Sequence, residues 1–242
     1  MISMPDTDRA AVEAWYFAGD PSETAVAQTF PHMSVGIETA RPPLVDDPVA
    51  ADTLFRQVLE VAAAEADAAI SLASNPQRVA EYLEVVDIHD RGAAYCGAGV
   101  AWAVCKAYCD ANGVSYSNAN RVATLRSVKA EIDRLYFLTN AWVPSTLSDA
   151  VRRGRGVASP SAIALSDLRP GYLVCFNWRN DPEHAPWPSP QHIGLVASVD
   201  ERHAYTIEFN TTFPSGPHAG QHGAVARQSR LLASIVGYVL TY

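Results

Sequence analysis

The chain has 242 residues, 48% of them hydrophobic and 18% charged, with a formal net charge of -8. This is the balance of a globular protein able to bury a sizeable core. The acidic surplus excludes a nucleic-acid binder that neutralises phosphates and an electrostatic membrane binder, and no apolar run reaches the roughly 18 residues of a membrane span.

Residues 1–48 are irregular, punctuated by Pro5, Pro21, Pro31, Pro42, Pro43 and Pro48, with only Arg9 to Phe17 suggesting a short helix. Residues 1–49 are therefore read as an N-terminal extension and 50–242 as one domain with a helical lead-in. The first residues lack a basic n-region and an apolar h-region, so no Sec signal is expected. Asp52 to Leu72 carries the stripe Leu54, Phe55, Val58, Leu59, Val61, Ala62 and predicts a helix. Asn75-Pro76 is an N-cap and first-turn pair for a second helix, through about Val86. A third helix is expected from Cys96 to Ala111, closed by Asn112-Gly113. Asn118 to Leu138 is helical again, with Val122, Leu125, Val128, Ile132 and Leu135 on one face, and Thr146 to Arg153 is a short helix.

The pattern then changes. Pro170-Gly171 turns into the apolar run Tyr172 to Phe176, and a Pro-rich loop follows from Asn180 to Pro190. Four more strands are expected: His192 to Val199, Ala204 to Phe209, Val225 to Arg230 and Ile235 to Thr241. Helices first and hairpin-connected strands second predict an α+β fold, the helices packed on a small antiparallel β-sheet.

The four cysteines, Cys96, Cys105, Cys109 and Cys175, do not space like a disulfide framework. Cys105 and Cys109 stand four apart on one helix, but no CxxC pair or paired histidines accompany them, so buried thiols are expected rather than a metal site. Asp87, His89 and Asp90 read as loop residues, and His218 and His222 as surface residues.

Chemistry concentrates elsewhere. Cys96 opens its helix within Tyr95-Cys96-Gly97-Ala98-Gly99, where the helix dipole and unpaired N–H groups favour a thiolate. Gly97 and Gly99 carry no Cβ to obstruct an approaching carbonyl, and the Cys96 N–H is placed to donate to an oxyanion. His192 enters a strand and suits a general base. Glu208 and Asn210, two apart on the next strand, are expected to face the same side, where either orients the imidazole. Glu208 is the first choice and Asn210 a supporting polar group. Tyr95 and Gln191 flank the pair as candidate substrate contacts, with Gly97. Trp187, in the Pro-rich loop, belongs either to a substrate wall or to the packing of that loop. Taken singly, a cysteine in an alanine-rich helix is ordinary core packing and a histidine starting an apolar strand is an edge residue. Their order along the chain carries the signal.

That order resembles the CHAP family, the cysteine- and histidine-dependent amidohydrolases and peptidases of papain-like fold. The pieces are Tyr95-Cys96-Gly97 with Trp102 following, Leu168-Arg169-Pro170-Gly171-Tyr172-Leu173-Val174, His192-Ile193-Gly194-Leu195-Val196 and Glu208-Phe209-Asn210. Gly223-Ala224-Val225-Ala226-Arg227 and Gly237-Tyr238-Val239 close the set. The likeness covers about residues 90–242. It departs at Tyr172, where the family often has Asp, and in the insertion Arg179 to Pro190.

The resemblance implies a thiol hydrolase of amide bonds in bacterial cell-wall peptidoglycan, with no metal and no organic cofactor. The activity would be that of an N-acetylmuramoyl-L-alanine amidase, or of an endopeptidase within the stem peptide or cross-bridge. It further implies a phage lysin or an antibacterial effector, acting in the periplasm or outside the cell. A holin or a secretion apparatus would deliver it, and an immunity protein would be a partner. The alternatives are a cysteine peptidase or amidase acting on a protein or small amide, or an inactive binding domain of the same fold.

Overall fold

The computed structural model describes residues 48–158, 168–177 and 190–241. Five helices come first: α1 Pro48–Asp67, α2 Pro76–Val85, α3 Cys96–Ala111, α4 Arg121–Leu135 and α5 Val143–Arg152. Six strands follow: β1 Gly156–Val157, β2 Leu173–Phe176, β3 His192–Val199, β4 His203–Thr212, β5 His222–Leu231 and β6 Ile235–Val239. The expected Arg9–Phe17 helix, and the Pro-rich loop but for its last residue, Pro190, lie outside the described residues.

The strands form one sheet in the order β1-β6-β2-β3-β4-β5, with every pair antiparallel. The fold is α+β. Strand alternation divides the sheet residues between two faces. Leu173, Cys175, Ile193, Leu195, Ile207, Phe209, Val225 and Val239 join the core shared with the helices. Val174, Phe176, Val196, Ala204, Ile235 and Tyr238 form a second cluster on the opposite face.

α3 is the central helix. Twelve of its residues are buried, and it packs on α1, α2 and α4 as well as on β3 and β4. Small side chains let it approach the sheet closely. A Cβ on Gly99 would lie 2.2 Å from ring atoms of Phe209. Trp102, one turn further on, has its ring 5.1 Å from Tyr82, whose ring is in turn 5.3 Å from Phe209. Gly113, at φ 64, takes the left-handed turn that ends α3.

Three local features differ from the sequence reading. First, α1 stops at Asp67 instead of running to Leu72. Ala69 takes φ 50, and Ile70 to Leu72 pair with the edge of β5 through Leu72 N–H to Gly223 O (2.7 Å) and Val225 N–H to Ile70 O (2.8 Å). Edge pairing in the folded chain overrides the helical tendency of this alanine-rich segment. Second, Asn75 occupies the N-cap position of α2 but makes no side-chain cap. Its Oδ1 accepts from Ser74 Oγ instead (2.8 Å). Third, β4 continues past Phe209 to Thr212, because its pairing with β5 slips between Glu208 and Thr211. Asn210 sits in that irregularity at φ 54, a bulge that re-aims the side chains beyond it.

Candidate active site

Cys96 is the first residue of α3 and is 5% exposed. The first intrahelical bond runs from Gly99 N–H to Tyr95 O (2.8 Å). The N–H groups of Cys96, Gly97 and Ala98 therefore have no acceptor within the helix and leave a positive end at the sulfur. His192, the first residue of β3, is 6% exposed and lies beside Cys96, whose sulfur favours the charged imidazole. Its Nε2 lies 2.9 Å from Oε2 of Glu208, which is wholly buried on β4. Residues far apart in sequence thus meet in one line from thiol to imidazole to carboxylate.

The sheet explains why they meet. Phe176 lies opposite His192 in the β2–β3 pairing, and Gly194 lies opposite Glu208 in the β3–β4 pairing. The Phe176 and His192 rings are 6.3 Å apart, so the phenyl ring walls one side of the imidazole. A Cβ on Gly194 would lie 2.9 Å from Glu208 Cγ and 3.3 Å from Thr206 Cβ. The missing methyl is what lets the Glu208 side chain lie over β3 towards His192.

Glu208 is the most elaborately held group of the site. Arg230 on β5 donates from Nε to Oε1 (2.8 Å) and from Nη2 to Oε2 (2.5 Å). Thr206 donates from Oγ1 to Oε1 (2.6 Å). Burial opposes the carboxylate charge, but the hydrogen bonds from Arg230 and His192 outweigh it and hold the carboxyl at about 2. Burial likewise opposes a charged His192. Its interactions with Cys96 and Glu208 prevail and raise it to about 9. The imidazole is thereby suited to hold, beside the sulfur, the proton that the thiol gives up. The other cysteines are of a different kind: burial pushes the thiols of Cys105, Cys109 and Cys175 up, holding them protonated.

Several sequence-derived assignments need correction. Gly97 does not open space for a substrate. A Cβ there would fall 2.3 Å from Asn140 O and 2.7 Å from Ala141 O, so the main chain of residues 140–141 already fills that space. Gly99 is likewise occupied, by Phe209. Tyr95 is 1% exposed and packs beside Tyr82, their rings 5.8 Å apart, so it belongs to the core and not to a substrate contact. Asn210 does not join Glu208 at the imidazole. The bulge breaks the alternation that would have aligned the two, and Glu208 is the carboxylate on Nε2. Gln191, half-buried, precedes His192 in the chain, and its N–H donates to Phe176 O (2.9 Å). Trp187 lies outside the described residues.

The segment beside Gly97 is itself firmly held. Leu138 N–H donates to Asp149 Oδ2 (2.8 Å), Thr139 N–H to Asp133 Oδ1 (2.9 Å) and Trp142 N–H to Asn140 Oδ1 (3.0 Å). Gly97→Ala cannot be absorbed by a side-chain rotation, because the obstacle is backbone. The expected result is a loss of about 3 kcal/mol or more in stability, read as a lowered midpoint in chemical denaturation. Activity lost without any such loss of stability would contradict the packing role of Gly97.

Sequence reasoning missed Arg230, Thr206 and the 140–141 segment. Thr206 shares the strand parity of Glu208, a usable signal. Arg230 was invisible because the register sets Ala226 opposite Glu208 and Arg230 opposite Ala204, so only the reach of its long side chain brings the guanidinium to the carboxylate. Arg227, in the closing motif, pairs instead with Asp67 at the surface (2.9 Å). Among the described residues, no group of three or more His, Cys, Asp or Glu could hold a metal ion, and no helix is long and apolar enough to cross a membrane. Family models, curated proteins and solved structures were all compared with the chain, and none matches it.

Proposed function

We propose that this protein is a thiol-dependent amide hydrolase of papain-like, CHAP-type fold whose substrate is bacterial peptidoglycan. The observation that carries the reading is the hydrogen-bonded pair His192–Glu208 beside Cys96, with the sulfur at the start of α3. The peptidoglycan substrate and the CHAP-type fold rest on the ordered sequence motifs, which the line of side chains complements.

In the proposed reaction the Cys96 proton passes to His192, and the thiolate attacks the amide carbonyl carbon. The carbonyl oxygen becomes an oxyanion facing the unpaired N–H groups at the start of α3. His192 then protonates the leaving amine as the C–N bond breaks, giving a thioester and a free amine. A water molecule gives a proton to His192 and attacks the thioester, releasing a carboxylate and returning the proton to sulfur. Glu208 keeps the imidazole oriented and supports its charge at each stage. With Nε2 engaged by Glu208, Nδ1 is the nitrogen left to serve the thiol.

The test is digestion of purified sacculi followed by chromatography and mass spectrometry of the released fragments. Amidase action liberates the L-alanine amine of the stem, whereas endopeptidase action liberates an amine within the stem or cross-bridge. Sacculi returned with no new amine would overturn the peptidoglycan assignment. Hydrolysis of a protein or a small amide in the same assay series would redirect the site to that substrate.

A further inference from the structure

We propose that Arg230 is the positioning residue of this site, its guanidinium fork locking Glu208 against His192 so that Nδ1 is presented to Cys96. This rests on the thiol-hydrolase reading above and adds to it a fourth participant, from a fourth segment of the chain.

An ionised glutamate offers about four lone-pair sites. Glu208 receives four hydrogen bonds: Thr206 Oγ1 and Arg230 Nε on Oε1, and Arg230 Nη2 and His192 Nε2 on Oε2. Every site is filled, and the two bonds from arginine are the parallel pair that fixes a carboxylate in its plane. An ionised Glu208 in this setting has no proton to give, so Nε2 must carry the hydrogen of the Nε2–Glu208 bond. In the neutral imidazole the lone pair then falls on Nδ1, the tautomer a general base for the thiol requires. Arg230 thereby acts on the sulfur through two intermediates and without touching substrate.

Arg230 is itself fixed. Nη2 also donates to Thr211 Oγ1 (3.1 Å), a hydroxyl that Gln228 Nε2 approaches as well (3.1 Å). Gln228 Nε2 is tied in turn to Thr212 O (2.6 Å). The bulge at Asn210 offsets the strand by one residue and so brings Thr211 to the arginine that grips Glu208. A lysine could supply the charge but not the planar fork.

Among the described residues, the charged and titratable groups of this line are Cys96 from α3, His192 from β3, Glu208 from β4 and Arg230 from β5. The Cys175 thiol of β2, beside Cys96, is kept neutral by burial. The low titration of Glu208 depends on Arg230, so its removal lets the carboxyl titrate nearer its ordinary value of 4.5.

The experiment measures the pH dependence of Cys96 carbamidomethylation by iodoacetamide, read by mass spectrometry against Cys105 and Cys109 in the same molecule. Wild type, Arg230→Gln and Arg230→Lys are compared, with kcat and KM from the sacculus assay and a thermal melt for each. The expected result is an acid limb shifted upward by about one pH unit or more in Arg230→Gln, and a kcat lowered roughly tenfold with KM little changed. Arg230→Lys should restore part of the shift. Fast alkylation of wild-type Cys96, with both variants keeping the wild-type limb and kcat while only the melt falls, would overturn the role of Arg230. Wild-type Cys96 reacting no faster than Cys105 would overturn the thiol-hydrolase reading itself, and this inference with it.

Discussion

Cys96→Ala is expected to abolish the proposed sacculus cleavage while leaving the fold in place. The loss expected is roughly a thousandfold or more, because the thioester path requires the Cys96 sulfur. Stability should change little: alanine suits the first turn of α3, and the change removes one sulfur from a site that is 5% exposed. The variant also carries a signature that a structural cysteine would lack. His192 is held near 9 against the opposition of burial by its interactions with Cys96 and Glu208. Deleting the sulfur leaves burial and Glu208 alone, so the imidazole should titrate lower than in wild type by NMR. Persistent cleavage in Cys96→Ala would assign the chemistry to another group.

Glu208→Ala should be the most destabilising single change at the site. It leaves the Arg230 guanidinium and His192 Nε2 facing a cavity without their shared acceptor. Breaking a buried ion pair from one side costs about 3–5 kcal/mol, which for a domain of this size lowers the melting temperature by roughly 10 °C. Glu208→Gln keeps the volume and loses only the charge, so it should fall between the two.

The pH dependence follows from the same groups. Glu208 sits at about 2 in the fold against an ordinary 4.5, so its contribution is complete above 4.5 and is lost as pH falls towards 2. His192 sits at about 9 against 6.5, so its contribution is complete below 6.5 and is lost as pH rises through 9. Denaturation free energy measured across this range should peak between the two ordinary values. In Glu208→Gln the acid-side fall attributable to this carboxylate should vanish. An unchanged acid slope in that variant would place the acid-sensitive group elsewhere.

Much of this fold is legible in the sequence because the elements follow simple periods. α3 begins and ends where the Cys96 and Asn112-Gly113 signals put it, and β3 spans His192 to Val199 as its apolar run suggests. Failures arise where a residue's role is set by a partner distant in sequence. Gly97 suggests open space in one dimension, yet the space belongs to Asn140 and Ala141 in three. Asn210 obeys the period of two only until the bulge displaces it. Arg230 has no local mark at all, since a glutamate this deeply buried demands a cation but cannot say which strand supplies it. The start of α5 at Val143 was visible in Pro144, a proline in the first helical turn, and was read three residues late.

The strand order decides when, during synthesis, Cys96 can meet its partners. β6 comes last among the described strands but lies in the interior of the sheet, between β1 and β2. Arg230 comes immediately before it in sequence. A chain emerging from the ribosome therefore presents Cys96 long before its base, its carboxylate or its guanidinium exists, and cannot complete the sheet until β6 arrives. The site cannot assemble before β5 is made, and a translation product truncated before Ile235, which lacks β6, is expected to leave Cys96 alkylated no faster than Cys105.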